Sequence, residues 1–162
     1  MTTVSEAIKK RHSVRAFKDR DVDIDTVKSI IQIAKQSPSG VNTQPWNVYV
    51  LSGDARDKLV NEATSRYDEG KMDGQEYLVY PKEMPDWYKE RRRAVGWAMY
   101  GAIGIEKGDT EKMMAQGRKN YEFFGAPVGI FITVKNCVGP NGWGHLGHFI
   151  QNVCLLAIEN GL

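Results

Sequence analysis

Cysteine and histidine are scarce in this chain: two of the first and three of the second among 162 residues. Cys137 and Cys154 form no CxxC pair and have no metal-ligand spacing, which excludes zinc ribbons and dithiol redox centres. Two reduced thiols in a cytoplasmic protein are the expectation. His145 and His148 stand at i, i+3 with no evident third ligand, so a packing or surface role is expected and no metal site. Long apolar runs are missing too. No stretch reaches the roughly 18–20 residues of a membrane span, and MTTVSEAIKKRHSVR has no apolar h-region of a signal peptide. Charge of one sign does not dominate: 22 basic against 20 acidic residues leave a net +2. That balance argues against a nucleic-acid partner bound by bulk electrostatics. It leaves room for a local basic site that takes a small anion. GxSxG, HExxH and P-loop motifs are all absent. Gly101, Gly104 and Gly108 follow a predicted helix rather than a strand, so they make no dinucleotide fingerprint.

Hydrophobic residues make up 41% and charged residues 26%, values of one globular domain spanning 1–162 with length enough for a core. Thr3-Val4-Ser5-Glu6 fits a capping box that opens a short helix through Val4, Ala7, Ile8 and Arg11. Asp23 caps a second helix, where Val27, Ile30, Ile31 and Ala34 make one apolar face. Pro38 disfavours helical geometry at Ser37 and ends it. Asn47–Leu51 reads as a strand, and 54–67 as a helix with Leu59, Val60 and Ala63 inward. Residues 68–86 read as an extended excursion, followed by a helix over 86–101. Asp109 or Thr110 caps a further helix ending near Phe124. Val128–Val134, almost wholly apolar, predicts a strand buried on both faces. After a loop over 139–144, His145–Asn160 predicts a helix apolar over most of its circumference, set centrally or in a subunit interface. The order of elements gives a mixed α+β domain.

Two segments carry more chemistry than their local structure requires. Arg11-His12-Ser13-Val14-Arg15 places two guanidiniums four residues apart around a hydroxyl, a set that can grip one phosphate. It reads equally as a solvated basic face at a helix C-terminus, where positive charge is favourable. The connector Ser37-Pro38-Ser39-Gly40-Val41-Asn42-Thr43-Gln44-Pro45-Trp46 spends ten residues where a turn needs two or three. It holds hydroxyls, two amides, a side-chain-free position and an aromatic. Trp46 reads as packing at the strand entry or, alternatively, as a substrate contact.

Together RHSVRAF (11–17) and SPSGVNTQPW (37–46), with NYEFFGAP (120–127) and LGHFIQN (146–152), resemble the nitroreductase family of FMN-dependent oxidoreductases. The resemblance covers nearly the whole chain and is least specific over 68–108. It implies an α+β fold with a mixed sheet flanked by helices and a long buried helix at a homodimer interface. FMN would lie in clefts at that interface. By resemblance Arg11, His12 and Ser13 approach the FMN phosphate and ribityl chain, and Arg15 the pyrimidine edge. Asn120 is a further flavin contact. Pro38, Ser39, Gly40 and Asn42 come from the other subunit to line the flavin face, with Gln44 nearby. Gly40 stands where many relatives have a second serine, and lets the backbone approach closely.

The activity implied is transfer of reducing equivalents from NAD(P)H through flavin to a nitroaromatic, quinone or similar acceptor, with no side chain needed as acid or base. Dehydrogenation or dehalogenation on the same fold is the enzymatic alternative. A flavin-free interaction domain is the alternative of another class. Tyr77–Trp97, rich in aromatics and arginine, resembles the insertion that covers the active site in some relatives. It reads equally as packing against a dimer partner. The chain ends at Glu159-Asn160-Gly161-Leu162, where family members continue into another strand and a tail around the partner. A shortened or fragmentary member is the expectation.

Overall fold

The chain runs α1 (Val4–Lys10), α2 (Ile24–Ala34), a 3₁₀ turn (Gly40–Asn42), β1 (Asn47–Ser52), α3 (Gly53–Asp68), α4 (Asp86–Ala102) and α5 (Thr110–Arg118). A 3₁₀ segment (Lys119–Gly125), β2 (Val128–Thr133), a 3₁₀ turn (Asn136–Val138) and α6 (Pro140–Glu159) complete it. The computed structural model describes residues 2–71, 74 and 77–162. Part of the excursion expected over 68–86 (residues 72, 73, 75 and 76) therefore lies outside the described residues. The chain divides into two compact units, residues 1–59 with 123–162 and residues 60–122.

Local chemistry sets the helix ends of the first unit. Thr3 and Glu6 form the reciprocal capping box, with the Glu6 amide donating to Thr3 Oγ1 at 3.2 Å and the Thr3 amide to Glu6 Oε2 at 2.8 Å. Asp23 caps α2 through the amides of Asp25 and Thr26. The Asp25 amide foremost holds the Asp23 carboxyl below its ordinary value. At the far end of α6, Gly161 in the left-handed region and the bonds Gly161 N–H to Ile158 and Leu162 N–H to Ala157 make a Schellman close. Val27, Ile30 and Ala34 bury one face of α2, while Ile31 stays half-buried. Both α1 and α2 pack on α6, whose Phe149 is fully buried and stacks on Trp46 at 5.0 Å between centroids.

The sheet of the described residues is an antiparallel pair, β1 against β2, in register from Asn47↔Thr133 to Ser52↔Val128. The α+β class follows the predicted order. Three local expectations are corrected. β2 is not buried on both faces of this chain: Phe131 is 43% exposed, because a two-stranded ribbon has no central strand. The helix expected from His145 begins at Pro140, since proline at the first helical position loses no hydrogen bond. The helix expected to end near Phe124 stops at Arg118 and tightens into 3₁₀ turns.

In the second unit Asp109 caps α5, and Tyr67 near the end of α3 donates its hydroxyl to the Met114 carbonyl at 3.0 Å. Arg118 forks onto Asp68 at 2.9 and 3.0 Å and also contacts Glu122. The buried residue at this end of α3 is Thr64, bonded to the Val60 carbonyl at 2.8 Å, while the expected Leu59, Val60 and Ala63 are half-buried. α4 closes with the same Schellman pattern, Ile105 N–H reaching Tyr100 and Gly104 N–H reaching Gly101. That turn places Ile105 in the core.

Truncating Phe149 to Ala should destabilise the chain by about 3–5 kcal/mol, since it removes a ring and leaves a cavity under Trp46; a thermal melt reads it. Asp23→Ala should lower Tm at neutral pH and matter progressively less in acid. The Asp23 carboxyl is depressed, so its contribution is complete above the ordinary carboxylate value and is lost as pH falls through the depressed one. Melts of both proteins across that range should converge.

Candidate functional site

The first unit presents both of the chemically dense segments. Arg11 is the C-cap residue of α1, extended in backbone and half-buried, its amide bonded to the Ala7 carbonyl at 2.9 Å. The next residues leave the helix into solvent. His12 is exposed with Nδ1 3.0 Å from the Lys10 carbonyl, and Ser13 is exposed. Arg15 donates to the Val14 carbonyl at 3.2 Å, and its guanidinium lies 5.1 Å from the centroid of the Phe124 ring. Among the described residues neither Arg11 nor Arg15 pairs with a carboxylate. Arg15's shelf is itself fixed. Phe17 N–H donates to the Phe124 carbonyl at 3.1 Å, and Arg56 Nε donates to the Ala126 carbonyl at 2.7 Å. Phe123 and Phe124 both adopt positive φ, 52° and 54°, a conformation that surrounding contacts must hold. Beneath them Gly129 leaves room for the Phe123 ring, where a Cβ would stand 2.6 Å from Cζ.

The second segment is a tethered loop. Ser37 is buried at 3% exposure; its hydroxyl donates to the Ala34 carbonyl at 2.6 Å and accepts from Asn152 Nδ2 at 2.7 Å. His148 Nδ1 stands 3.3 Å from the Pro38 carbonyl, and Gly40 N–H donates to His145 Nε2 at 3.2 Å. Ser39 Oγ closes the loop on itself by accepting from the Gln44 amide at 2.9 Å. Asn42 N–H donates to the Ser39 carbonyl at 3.0 Å. Trp46 then anchors the exit on Phe149, which favours the packing reading over the substrate contact. Val41, Asn42 and Gln44 have positive φ of 44°, 56° and 45°. For β-branched Val41 this is costly, and its side chain is 97% exposed. At Gly40 a Cβ would sit 3.3 Å from His145 Nε2, so glycine there serves the close approach to the helix.

The structure thus gathers Arg11, His12, Ser13, Arg15, Pro38, Ser39, Gly40, Asn42 and Gln44 in one unit. Asn120 belongs to the other, where its Nδ2 donates to the Gly117 carbonyl at 2.9 Å. Among the described residues no hydrogen bond joins 11–15 to 38–44. Sequence reasoning missed the tethers. His145, His148 and Asn152 stand at i, i+3 and i+7, one face of α6, and hold three successive points of the loop. Their signal was available: polar residues at helical spacing inside an apolar helix need partners. No cluster of His, Cys, Asp or Glu among the described residues could hold a metal.

Residues 8–162 match the model of the nitroreductase family. A 4-nitrobenzoate reductase of Nocardioides sp. (strain LMS-CY) is 35% identical over 160 residues, covering 96% of this chain and 64% of that protein. A nitrobenzene nitroreductase of Ectopseudomonas oleovorans is 32% identical over 162 residues, 98% of this chain and 70% of that one. The crystal structure of the FMN and NADPH-dependent nitroreductase NfnB from Sphigopyxis sp. strain HMH superposes with a TM-score of 0.92 at 38% identity, over 98% of this chain and 72% of that one. The chain spans about two thirds of the length of these curated relatives.

Ser37→Ala should cost about 1–3 kcal/mol by leaving Asn152 without its buried acceptor. Asn152→Ala, which removes the orphaned donor as well, should restore part of that loss in the double variant. Chemical denaturation of the single and double variants measures the coupling.

Proposed function

The chain belongs to the nitroreductase family, and from that premise we propose that it is an FMN-dependent oxidoreductase drawing on NAD(P)H to reduce a nitroaromatic, quinone or similar small acceptor. One observation carries the reading: two arginines with no carboxylate partner among the described residues share a unit with a strained polar loop tethered by three side chains of α6. A solvated basic face would need neither the strain nor the tethers. The donor set also fits the group. Arg11, His12 and Ser13 offer a guanidinium, an imidazole and a hydroxyl for a phosphate. Arg15, flattened over Phe124, offers a planar cation for a ring edge where negative charge develops. When bound, the flavin supplies the redox chemistry, taking two electrons from the nicotinamide and passing them to the acceptor. The protein's part is to bind, orient and exclude water. His145 and His148 position the backbone at Gly40 and Pro38, so that Pro38, Ser39, Gly40, Asn42 and Gln44 present a shaped edge. Asn120 is proposed as a further contact.

The same proposal includes a homodimer. Val4 and Ile8 on α1 are 72% and 53% exposed, and Trp143 and Ile150 on α6 are 56% and 43% exposed. Each pair lies on one helical face, and apolar residues exposed together on a face mark interaction surfaces. Val41, on the loop tip, adds a third apolar contact. In this arrangement the loop of one subunit completes the phosphate-binding segment of the other, in keeping with the lack, among the described residues, of hydrogen bonds between them within one chain. A nitroaromatic acceptor and NADPH are the first choices because the similar proteins are a 4-nitrobenzoate reductase, a nitrobenzene nitroreductase and an FMN and NADPH-dependent nitroreductase. No helix among the described residues is long and apolar enough to cross a membrane, and a cytoplasmic location belongs to the proposal.

Purified protein should carry the twin visible bands of oxidised flavin, and should oxidise NADPH when nitrobenzene is supplied. Arg15→Ala should weaken FMN binding roughly 10- to 100-fold, the worth of a charge-assisted contact of about 1.5–3 kcal/mol. Ile150→Glu should shift the protein to a monomer on size exclusion and release the flavin with it. A protein that stays colourless after incubation with FMN, or an Arg15→Ala variant with unchanged retention, would overturn the assignment.

A further inference from the structure

The second unit contains a cavity of about 520 Å³ with an unusual lining. One wall is a single face of α4, positions 89, 92, 93, 96, 97 and 100, spaced as a helix repeats. Across it lies the segment with Tyr80 and Lys82. On a core helix that face would be apolar. Here it combines cations, Lys89, Arg92 and Arg93, with the rings of Trp97 and Tyr100. Among the described residues no carboxylate lines it. Lys89 is neutralised by Asp86 at 3.1 Å. Among the described residues Lys82, Arg92 and Arg93 have no such partner.

The arrangement is ordered internally. The Arg92 guanidinium sits 4.3 Å from the centroid of Tyr80, which ties the crossing segment to the helix. Trp97 and Tyr100 lie 6.0 Å apart with planes inclined by 58°. Gly96 leaves open space between the two aromatic levels: nothing stands within 4 Å of where its Cβ would be. Trp97 nevertheless remains 43% exposed and Tyr80 51%. A merely solvated helix face would need cations without rings, and a packing face rings without unpaired cations.

We propose that this pocket binds a planar aromatic anion, its ring against Trp97 and Tyr100 over Gly96 and its charged group on Arg93 and Lys82. The volume lies within the usual range for small-ligand sites, and the few placed cations would supply the orientation. Two sources share this chemistry: an aromatic carboxylate acting as acceptor, and the phosphorylated adenosine end of a nicotinamide donor. The proposal depends on the oxidoreductase reading only for the choice between these sources, since binding does not require turnover.

Isothermal titration of the full chain with 4-nitrobenzoate, with nitrobenzene as its neutral counterpart, and with adenosine 2′,5′-bisphosphate tests it. Either anion should bind at least about tenfold more tightly than nitrobenzene, the effect of one charge-assisted contact. The double variant Arg93→Gln/Lys82→Gln should erase that preference while leaving nitrobenzene affinity unchanged. Trp97→Leu should weaken all three. Preference for 4-nitrobenzoate identifies the acceptor as the source, and preference for the bisphosphate identifies the donor. Equal affinity for charged and neutral rings overturns the proposal. So does a preference that survives the double variant, or a double variant that changes only the oligomeric state. Flavin content, read from the visible spectrum of each sample, is a separate observable: a colourless protein that keeps the anion preference refutes the flavin site and leaves the pocket standing.

Discussion

The hydrogen bond from Asn152 to the buried Ser37 hydroxyl is the contact on which the architecture of the first unit turns. Ser37 marks where α2 has ended and the long connector begins, and its hydroxyl also donates back to the Ala34 carbonyl. One buried group thus ties the end of one helix, the start of the loop and the middle of α6. In a low-dielectric interior such a group is costly unless it is fully satisfied, so the network admits few alternative arrangements. Everything further along the connector inherits that register. Pro38 meets His148, Gly40 meets His145, and Trp46 lands on Phe149.

Tethering at both ends explains how the loop can hold three non-glycine residues at positive φ. Each left-handed residue costs on the order of 1–3 kcal/mol and persists only where surrounding structure enforces it. A free ten-residue connector would relax into turns without that strain. Here the exit is fixed by stacked rings and the entry by a buried bond, so the strain is confined to 41–44. The same logic holds at Phe123 and Phe124, pinned by the Phe17 amide and the Gly129 gap. The unit's two strained points therefore coincide with the loop and with the aromatic shelf under Arg15. Strain placed at two conformationally enforced sites in one small unit is hard to explain as packing alone.

Much of this was legible in the sequence wherever the signal is local. The Thr3/Glu6 box and the Asp23 cap depend on residues within a turn of one another and stand where spacing predicts, and of the two candidate caps for α5 it is Asp109 that serves. Strand and helix types followed from periodicity. What failed needed tertiary knowledge. The burial of β2 depends on how many strands flank it, and the true start of α6 on whether Pro140 continues a loop or opens a helix. The chemical segments were readable as motifs because they concentrate donors. Their supports on α6 were signalled only as polar residues at helical spacing, because a histidine in a helix says nothing of which carbonyl or amide it will reach.

The exposed apolar surface places a further constraint on the fold. α6 is apolar over most of its circumference, yet only Gly142 and Phe149 are buried on it, and Trp143 and Ile150 face solvent. The side of α6 carrying His145, His148 and Asn152 is committed to the connector, so the helix cannot rotate to hide its exposed face without breaking those bonds. The strained loop and the uncovered stripe are thus two consequences of one orientation of α6. In the proposed homodimer a second chain on that stripe would cover the apolar face and meet the loop tip at Val41. The proposed homodimer rests on that exposure, because removing apolar surface from water is favourable.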